Sequence, residues 1–177
     1  SLFEMMDKKL WVGTRKGLNV YNKERNKVWY FGNISSSNFY KNNKSVMAIY
    51  QDSIGRTYVG AIDGVYEVKI SQEGLPMAFN EIKYTSPFKE NKVYKIVEDN
   101  SGKLWVGTKN GLLVISSDRQ KNTFFVPNGS KEGLPHKTIR DIYQSDDGNI
   151  WLGTEGGFCK VLSVNLDSLR LKTYKNE

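Results

Sequence analysis

The sequence predicts an all-β fold built from four antiparallel, four-stranded meanders. One pattern returns four times along the 177 residues, and glycine-containing turns separate the short apolar segments within each copy. In addition, no copy shows the three-to-four-residue apolar spacing of a helix, which argues against the helical repeat families. The repeat therefore sets the fold, and each of its parts can be assigned to a strand or a turn.

The most regular part of each copy is a strand of the form Trp-x-Gly-Thr. Its central glycines lie 47, 47 and 46 residues apart. We expect the aromatic side chain to pack between neighbouring sheets, and the glycine beside it to leave room for the neighbour. The residues assigned to this structural role are Trp11, Gly13, Tyr58, Gly60, Trp105, Gly107, Trp151 and Gly153.

An apolar strand precedes this one in each copy, and a turn joins the two. Asp52 and Asp99 open two of these turns, and we assign them to turn capping because such side chains bond their own backbone. The first copy has no glycine in this turn and is interpreted as shortened. After the central strand, pairs such as Asp63-Gly64 and Asn110-Gly111 predict type I′ hairpins leading to a third strand.

A looser connection leads to the fourth strand of each copy, predicted at residues 28–31, 79–84, 123–126 and 169–174. A four-stranded sheet that is apolar on both faces cannot bury both by itself. Stacking the sheets radially solves this, so the sequence predicts β-propeller blades. We expect a single propeller segment over residues 1–177, with blades at about 1–40, 41–87, 88–133 and 134–177.

Four blades are few for a propeller, and no strand is left over to close a ring. The first copy supplies its own inner strand, at residues 2–6, and the last copy its own outer strand. We therefore expect an open four-blade fragment cut from a larger propeller, whose remaining blades belong to the parent chain. Its two apolar end faces favour self-association, for example of two copies into an eight-bladed ring.

Composition and charge favour some classes of protein function over others. The formal charge is +7, but the lysines and arginines are scattered, which favours a solvated basic surface over nucleic-acid binding. No apolar run is long enough to span a membrane. The single cysteine, Cys159, excludes an internal disulfide and is expected to be a small buried hydrophobe.

Catalysis needs converging nucleophiles, bases or metal ligands. His136 is the one histidine of the chain, which excludes a histidine-rich metal site but leaves a single-histidine triad formally open. We assign no catalytic residue, no metal and no cofactor. An exposed loop histidine is the simpler interpretation of His136, and contact with a ligand is the alternative.

A binding site is expected where the turns between strands two and three meet the connections between blades, since loops carry function on a rigid scaffold. Aromatic and amide groups there would suit a sugar. The candidate ligand-binding residues are Arg15, Lys16, Asn38, Tyr40, Asp63, Lys109, Asn110, His136 and Glu155.

These motifs together resemble the two-component regulator propeller repeat: an apolar strand, Asp-x-x-Gly, Trp-x-Gly-Thr, a short turn, then Gly-Leu. The stretches 93–112 and 133–154 are near-complete copies, and the resemblance covers essentially the whole chain. The departures are local. Tyr58 and Ala61 stand where Trp and Thr are usual, and Ser145 stands at the Asp position.

The resemblance implies a function that spacing alone does not. Such repeats are typical of the periplasmic sensor region of hybrid two-component systems, whose histidine kinase, membrane span and DNA-binding module lie outside this segment. Many members sense oligosaccharides released from glycans and control the genes for their use. The leading hypothesis is therefore a non-catalytic, ligand-sensing segment. A scaffold that only mediates dimerisation is the alternative, and a propeller lyase or glycosidase is the third.

Overall fold

The computed structural model describes residues 1–31, 45–88, 91–165 and 167–174. Within those ranges every regular element is a β-strand, and the strands form four antiparallel sheets of four strands each. In each sheet the strands pair in the order in which they follow along the chain, which confirms the predicted meanders. In the same ranges no helix is long and apolar enough to cross a membrane.

The strands of the first two sheets are β1 (Leu2–Glu4), β2 (Leu10–Thr14), β3 (Gly17–Asn22), β4 (Lys27–Tyr30), β5 (Val46–Gln51), β6 (Thr57–Ala61), β7 (Val65–Ile70) and β8 (Pro76–Glu81). Those of the third and fourth sheets are β9 (Val93–Glu98), β10 (Leu104–Thr108), β11 (Leu112–Ile115), β12 (Asn122–Phe125), β13 (Ile139–Gln144), β14 (Ile150–Thr154), β15 (Gly157–Val164) and β16 (Leu169–Tyr174). The first strand ends two residues before its predicted end at residue 6, and the fourth strand of the second sheet begins at Pro76 instead of residue 79.

The chain divides into two compact units, Ser1–Lys83 and Tyr84–Glu177, each holding two sheets. Within each unit the recurrent tryptophan of one sheet packs against the other sheet. Trp11 lies in an apolar cluster with Val46 of β5. Trp105 lies in a second cluster with Ile139 and Ile142 of β13. The predicted packing of the tryptophan between sheets is confirmed at these two positions.

The glycine beside the tryptophan is required by this packing. A Cβ atom on Gly13 would lie 2.7 Å from the carbonyl oxygen of Val46, and one on Gly107 would lie 3.0 Å from that of Ile139. Both distances are too short for a side chain without a shift of the backbone. The first strand of the following sheet therefore approaches at the glycine, as the sequence predicted.

The turn between the first two strands is equally long in all four sheets, so the predicted shortening in the first sheet is wrong. The N–H of Lys8 donates to the Met5 carbonyl oxygen at 2.8 Å, as the N–H of Gly55 does to that of Asp52 at 2.9 Å. Lys8 takes a φ of 65°, in the left-handed region that Gly55 occupies at 87°. The motif was hidden because a lysine stands in the glycine position.

The acidic residue that opens this turn also holds the recurrent aromatic residue, six positions later. Asp52 Oδ2 accepts a hydrogen bond from the Tyr58 hydroxyl at 3.2 Å, and Asp99 Oδ2 accepts one from the Trp105 indole N–H at 2.7 Å. The other oxygen of Asp99 accepts the backbone N–H of Lys103 at 3.0 Å. The turn-capping role assigned to these two aspartates is confirmed, and each has this second bond as well.

The first and fourth sheets lack the aspartate. In the fourth sheet, Ser145 Oγ accepts the Trp151 indole N–H at 3.3 Å. In the first sheet the position is Met5, and the buried indole N–H of Trp11 has no acceptor among the described residues. A buried donor without a partner costs about 1–3 kcal/mol, so the first sheet is the least well satisfied at this point.

The turn between the second and third strands is closed by the threonine of Trp-x-Gly-Thr. Thr108 Oγ1 donates to the Gly111 carbonyl oxygen at 2.8 Å and accepts the N–H of Gly111 at 3.1 Å. Neither Asn110-Gly111 nor Asp63-Gly64 contains a residue with positive φ, so the predicted type I′ conformation is wrong for both. In the third sheet the Thr108 hydroxyl orders the turn instead, whereas the second sheet has Ala61 at this position.

Candidate functional site

The candidate residues of the first unit lie in the turns, as their positions in the repeat require. Arg15 and Lys16 are exposed between β2 and β3, and Asp63 is half-buried between β6 and β7. Asn38 and Tyr40 lie outside the described residues. For the first unit the structure therefore shows polar turn residues and no converging cluster among those described.

In the second unit, Thr138 brings three of the candidates together. Its hydroxyl donates to the Lys109 carbonyl oxygen at 3.0 Å, and its backbone N–H donates to His136 Nδ1 at 3.1 Å. Its carbonyl oxygen accepts the N–H of Glu155 at 3.2 Å. Thr138 is only 4% exposed, so this hub is anchored in the core while its partners reach the surface.

Asn110 does not share this surface. It is 8% exposed, and its backbone N–H donates to Thr108 Oγ1 at 3.1 Å inside the tight turn. A ligand that approaches the exposed Lys109 would not reach a buried amide without opening the turn. We therefore leave Asn110 out of the site described below.

Two residues that the sequence reasoning missed lie beside the hub, at equivalent positions of β9 and β13. Tyr94 and Arg140 each follow the first buried residue of their strand, and the guanidinium carbon of Arg140 lies 4.3 Å from the centroid of the Tyr94 ring. Glu155 Oε1 accepts a hydrogen bond from Arg140 Nε at 2.9 Å and another from Nη2. The guanidinium is thus held both by a ring face and by a carboxylate.

Lys92 lies beside the tyrosine, and Lys109 is joined to Lys92 by a main-chain hydrogen bond. Lys92 Nζ lies 5.4 Å from the Tyr94 ring centroid, and the Lys92 carbonyl oxygen accepts the backbone N–H of Lys109 at 2.8 Å. We use the name first-strand cluster for the residues on and beside these first strands: Lys92, Tyr94, Lys109, His136, Thr138, Arg140 and Glu155.

The charges of Arg140 and Glu155 stabilise each other. The hydrogen bond from Arg140 lowers the pKa of the Glu155 carboxyl below its usual value, and the same bond raises the pKa of Arg140. Both groups therefore stay ionised over a wide pH range. The pair is exposed, so its weight lies in orienting the guanidinium more than in stability.

His136 has a defined tautomer. Because Nδ1 accepts the N–H of Thr138, the proton of the neutral imidazole is on Nε2. Nδ1 also lies 4.0 Å from Glu155 Oε2. The ring therefore offers one N–H donor from Nε2 while its other nitrogen is occupied.

The cluster has the chemistry of a binding site. It combines the face of an aromatic ring with donors from Arg140, Lys92 and His136. Among the described residues, no group of three or more histidine, cysteine, aspartate or glutamate side chains could hold a metal ion. Cys159 is fully buried, and burial raises the pKa of its thiol to about 12, which makes it unreactive.

The signal that would have found Tyr94 and Arg140 is the alternation along the first strand. In β9 and β13, residues Val93 and Ile139 are fully buried, so the next residue must project from the opposite side of the sheet. The sequence reasoning searched the turns alone, because loops are the usual place for function. Here the turn residues Lys109 and Glu155 act together with strand residues.

Comparison with known families bears on the second unit. A family model described as "Two component regulator propeller" matches residues 87–110 and 133–156. Each of these two segments is therefore similar to one two-component regulator propeller repeat. All members of the first-strand cluster lie inside the two matched segments. No curated protein sequence matches the chain.

Several solved structures have a similar fold. The extracellular domain of a hybrid two component system from B. thetaiotaomicron matches 99% of this chain with a TM-score of 0.74 and 26% identity. The extracellular domain of a one component system from the same organism matches 99% with a TM-score of 0.73 and 22% identity. This chain covers 22% and 21% of those two chains, so it spans about a fifth of their length.

A third similar structure is an enzyme. Virginiamycin B lyase from Staphylococcus aureus matches 99% of this chain with a TM-score of 0.64 and 18% identity, and 54% of the lyase chain is covered. At that identity the likeness shows the fold alone. The match to the family model and the first structure relate this chain to the extracellular domains of hybrid two component systems.

Proposed function

We propose that this chain is a periplasmic, non-catalytic segment of the sensor domain of a hybrid two-component protein, and that it binds an oligosaccharide derived from a glycan. The observation that carries the proposal is the first-strand cluster within the two matched repeats. An aromatic side chain next to fixed donors suits sugar recognition, since apolar parts of a sugar pack against the ring while its hydroxyls are hydrogen-bonded.

The site is preorganised in three ways. Tyr94 and Arg140 stack at 4.3 Å, Glu155 holds the guanidinium, and Thr138 fixes the loop that carries His136. A ligand would therefore meet groups already in place, so little conformational entropy is lost on binding. The proposal assigns signalling to the parent protein, in which occupancy of the site would shift the arrangement of neighbouring elements.

Binding of a panel of neutral and acidic oligosaccharides, measured by calorimetry, tests the proposal. Saturable binding is expected, and Tyr94→Ala should weaken it at least tenfold because the ring platform is lost. Tyr143→Ala is the matched control, since Tyr143 is a 60% exposed tyrosine on β13 of the same unit, outside the cluster. Equal binding by both variants, or no binding of any saccharide, would contradict the proposal.

A scaffold role is the second candidate function, and the exposed side of the fourth sheet favours it. Phe158 is 49% exposed there, stacked on the Tyr174 ring at 5.0 Å between centroids. If two copies associate through this side, Phe158→Glu should abolish the association and leave saccharide binding unchanged. Light scattering over a range of concentrations measures the first property, and a monomer at every concentration would exclude the scaffold role for this chain.

A further inference from the structure

We infer that the first-strand cluster recognises a negatively charged group on its ligand, a carboxylate or a sulfate ester. This rests on the proposed function for the saccharide part of the ligand, but the charge preference follows from the cluster itself.

Among the residues that the structure describes, one carboxylate belongs to the first-strand cluster and one stands next to a cluster residue in sequence, and both are paired. Glu155 accepts two hydrogen bonds from Arg140. Asp141 Oδ1 lies 3.0 Å from Lys95 Nζ, on the neighbouring first strand. Each negative charge therefore has one positive partner at hydrogen-bonding distance, and neither remains to balance a further cation.

The positive charges are in excess. Neither the Lys92 nor the Lys109 ammonium group lies within 4.0 Å of a carboxylate of any described residue. Lys92 and Arg140 both contact the Tyr94 ring, and the backbone of Lys92 is bonded to that of Lys109. A local excess of positive charge of this kind favours binding of an anion.

The remaining donor groups of the cluster can donate hydrogen bonds but cannot accept them. Arg140 donates to Glu155 from Nε and Nη2, and the Tyr94 hydroxyl also lies close enough to the guanidinium to raise the pKa of Arg140. A ligand oxygen would bind at Nη1, the nitrogen that Glu155 does not engage. The Lys92 ammonium group and His136 Nε2–H have no described acceptor. Guanidinium and ammonium groups only donate, and a carboxylate or sulfate only accepts, so the match is to an acceptor-only anion.

The Arg140 guanidinium is held in a fixed orientation before a ligand binds. The Tyr94 ring fixes the plane of the Arg140 guanidinium, and Glu155 fixes its rotation within that plane. The Nη1 edge therefore points in one direction before the ligand arrives. Neutral sugars alone would not require a guanidinium restrained in this way.

Matched pairs of saccharides test the inference: trigalacturonic acid against its methyl ester, and galactose 6-sulfate against galactose. With calorimetry at low salt, the acid should bind at least tenfold more tightly than its ester, and its affinity should fall as salt is added. A preference for the acid alone identifies a carboxylate ligand, and one for the sulfate alone a sulfate ester. Equal affinity within both pairs would overturn the charge preference and leave the proposed function intact.

Single substitutions test which residues produce the preference for the acid over its ester. Lys92→Gln should weaken the acid about threefold to tenfold and leave the ester unchanged. Arg140→Gln should do the same, whereas Arg170→Gln should not. Arg170 is the matched control because it forms the same two-point pair with Glu132, at 2.7 and 3.0 Å, outside the cluster. Equal losses for Arg140→Gln and Arg170→Gln would refute the assignment.

Inorganic sulfate separates the two proposals. If no saccharide binds, the chain can be titrated with sulfate while the amide and ring signals of Tyr94 and His136 are followed by NMR. Shifts that saturate there and vanish in Lys92→Gln would sustain the anion site and reject the saccharide-binding function. The absence of any such shift would reject the anion site as well.

Discussion

The third and fourth sheets carry the same strand motif, but only one of them is covered on its tryptophan side. In the third sheet, Trp105 is 1% exposed and its pairing partner across the strand is Val114. In the fourth sheet, Trp151 is half-buried and its partner is Lys160. Within the second unit the fourth sheet covers the third, and the tryptophan side of the fourth sheet remains accessible.

The tryptophan-bearing faces of the two sheets also differ beside the glycine. The residue opposite the glycine is the fully buried Leu112 in the third sheet and the 49% exposed Phe158 in the fourth. Around Trp151 the rings of Phe158 and Tyr174 lie at 6.1 and 5.9 Å, so this face covers itself in part with aromatic groups. One motif can therefore form either a buried contact between sheets or an exposed aromatic surface, depending on the residues paired with it.

Removing the tryptophan side chain should lower the free energy of unfolding far more in the third sheet than in the fourth. Trp105→Ala should lower the free energy of unfolding by about 3–5 kcal/mol, because it opens a cavity in the core of the second unit. Trp151→Ala should lower it by about 1 kcal/mol, since much of that ring is already in contact with solvent. Urea denaturation of both variants measures the difference, and equal losses would mean that the tryptophan side of the fourth sheet is covered in solution.

Removing the hydrogen-bond acceptor of each indole N–H should lower stability by less than removing the indole itself. Asp99→Ala should cost about 2–3 kcal/mol, because the buried Trp105 N–H and a turn N–H lose their partner. Ser145→Ala should cost about 0.5–1 kcal/mol, since the longer bond of 3.3 Å to Trp151 lies at an accessible site. The same denaturation series checks both, with Asp99→Asn keeping an acceptor oxygen as the conservative control.

The glycines beside the tryptophans should differ as well. Gly107→Ala should cost about 1–3 kcal/mol because the new methyl group would press on the Ile139 carbonyl oxygen. Gly153→Ala should stay within about 0.5 kcal/mol, since the nearest atom to its added Cβ, on Asp141, is 3.7 Å away. Thermal unfolding measures both. A large loss for Gly153→Ala would show that another strand approaches this glycine in solution.

The smallest effect is a pH dependence of the fourth sheet. Hydrogen bonds from the Ser145 hydroxyl and the Asn149 N–H lower the pKa of Asp147 below its usual value. The bonds therefore stabilise the turn fully above the usual pKa of an aspartate and are lost as the pH falls through the lowered pKa. Exchange of the Asn149 amide, corrected for the intrinsic rate, should become less protected between about pH 5 and pH 2, and Asp147→Asn should remove this trend.

The sequence was sufficient for the sheets because the same residues recur where geometry demands them. Asp52 and Asp99 cap their turns, and Gly13 and Gly107 admit the next sheet, as the repeat indicated. It was insufficient where an unlike residue takes the same conformation. Lys8 adopts the glycine's φ because its neighbours impose the turn, and single-residue propensity does not contain that information.

The candidate site was half predictable for a similar reason. Lys109, His136 and Glu155 were found because they stand in connections, and Thr138 joins them. The pairing of Tyr94 with Arg140 joins two strands that are 46 residues apart in sequence, and no local pattern states which first strands lie side by side. Such a contact depends on how the sheets pack within the unit.

The tryptophans give the molecule a built-in set of optical reporters. Trp11 is a buried indole whose N–H has no acceptor among the described residues, Trp105 a buried indole bonded to a carboxylate, and Trp151 an indole next to solvent. The fluorescence maxima of these three should therefore differ, and Trp151 should emit at the longest wavelength of the three. Single-tryptophan versions of the chain would let the first, third and fourth sheets be followed separately as they melt or as a partner covers them.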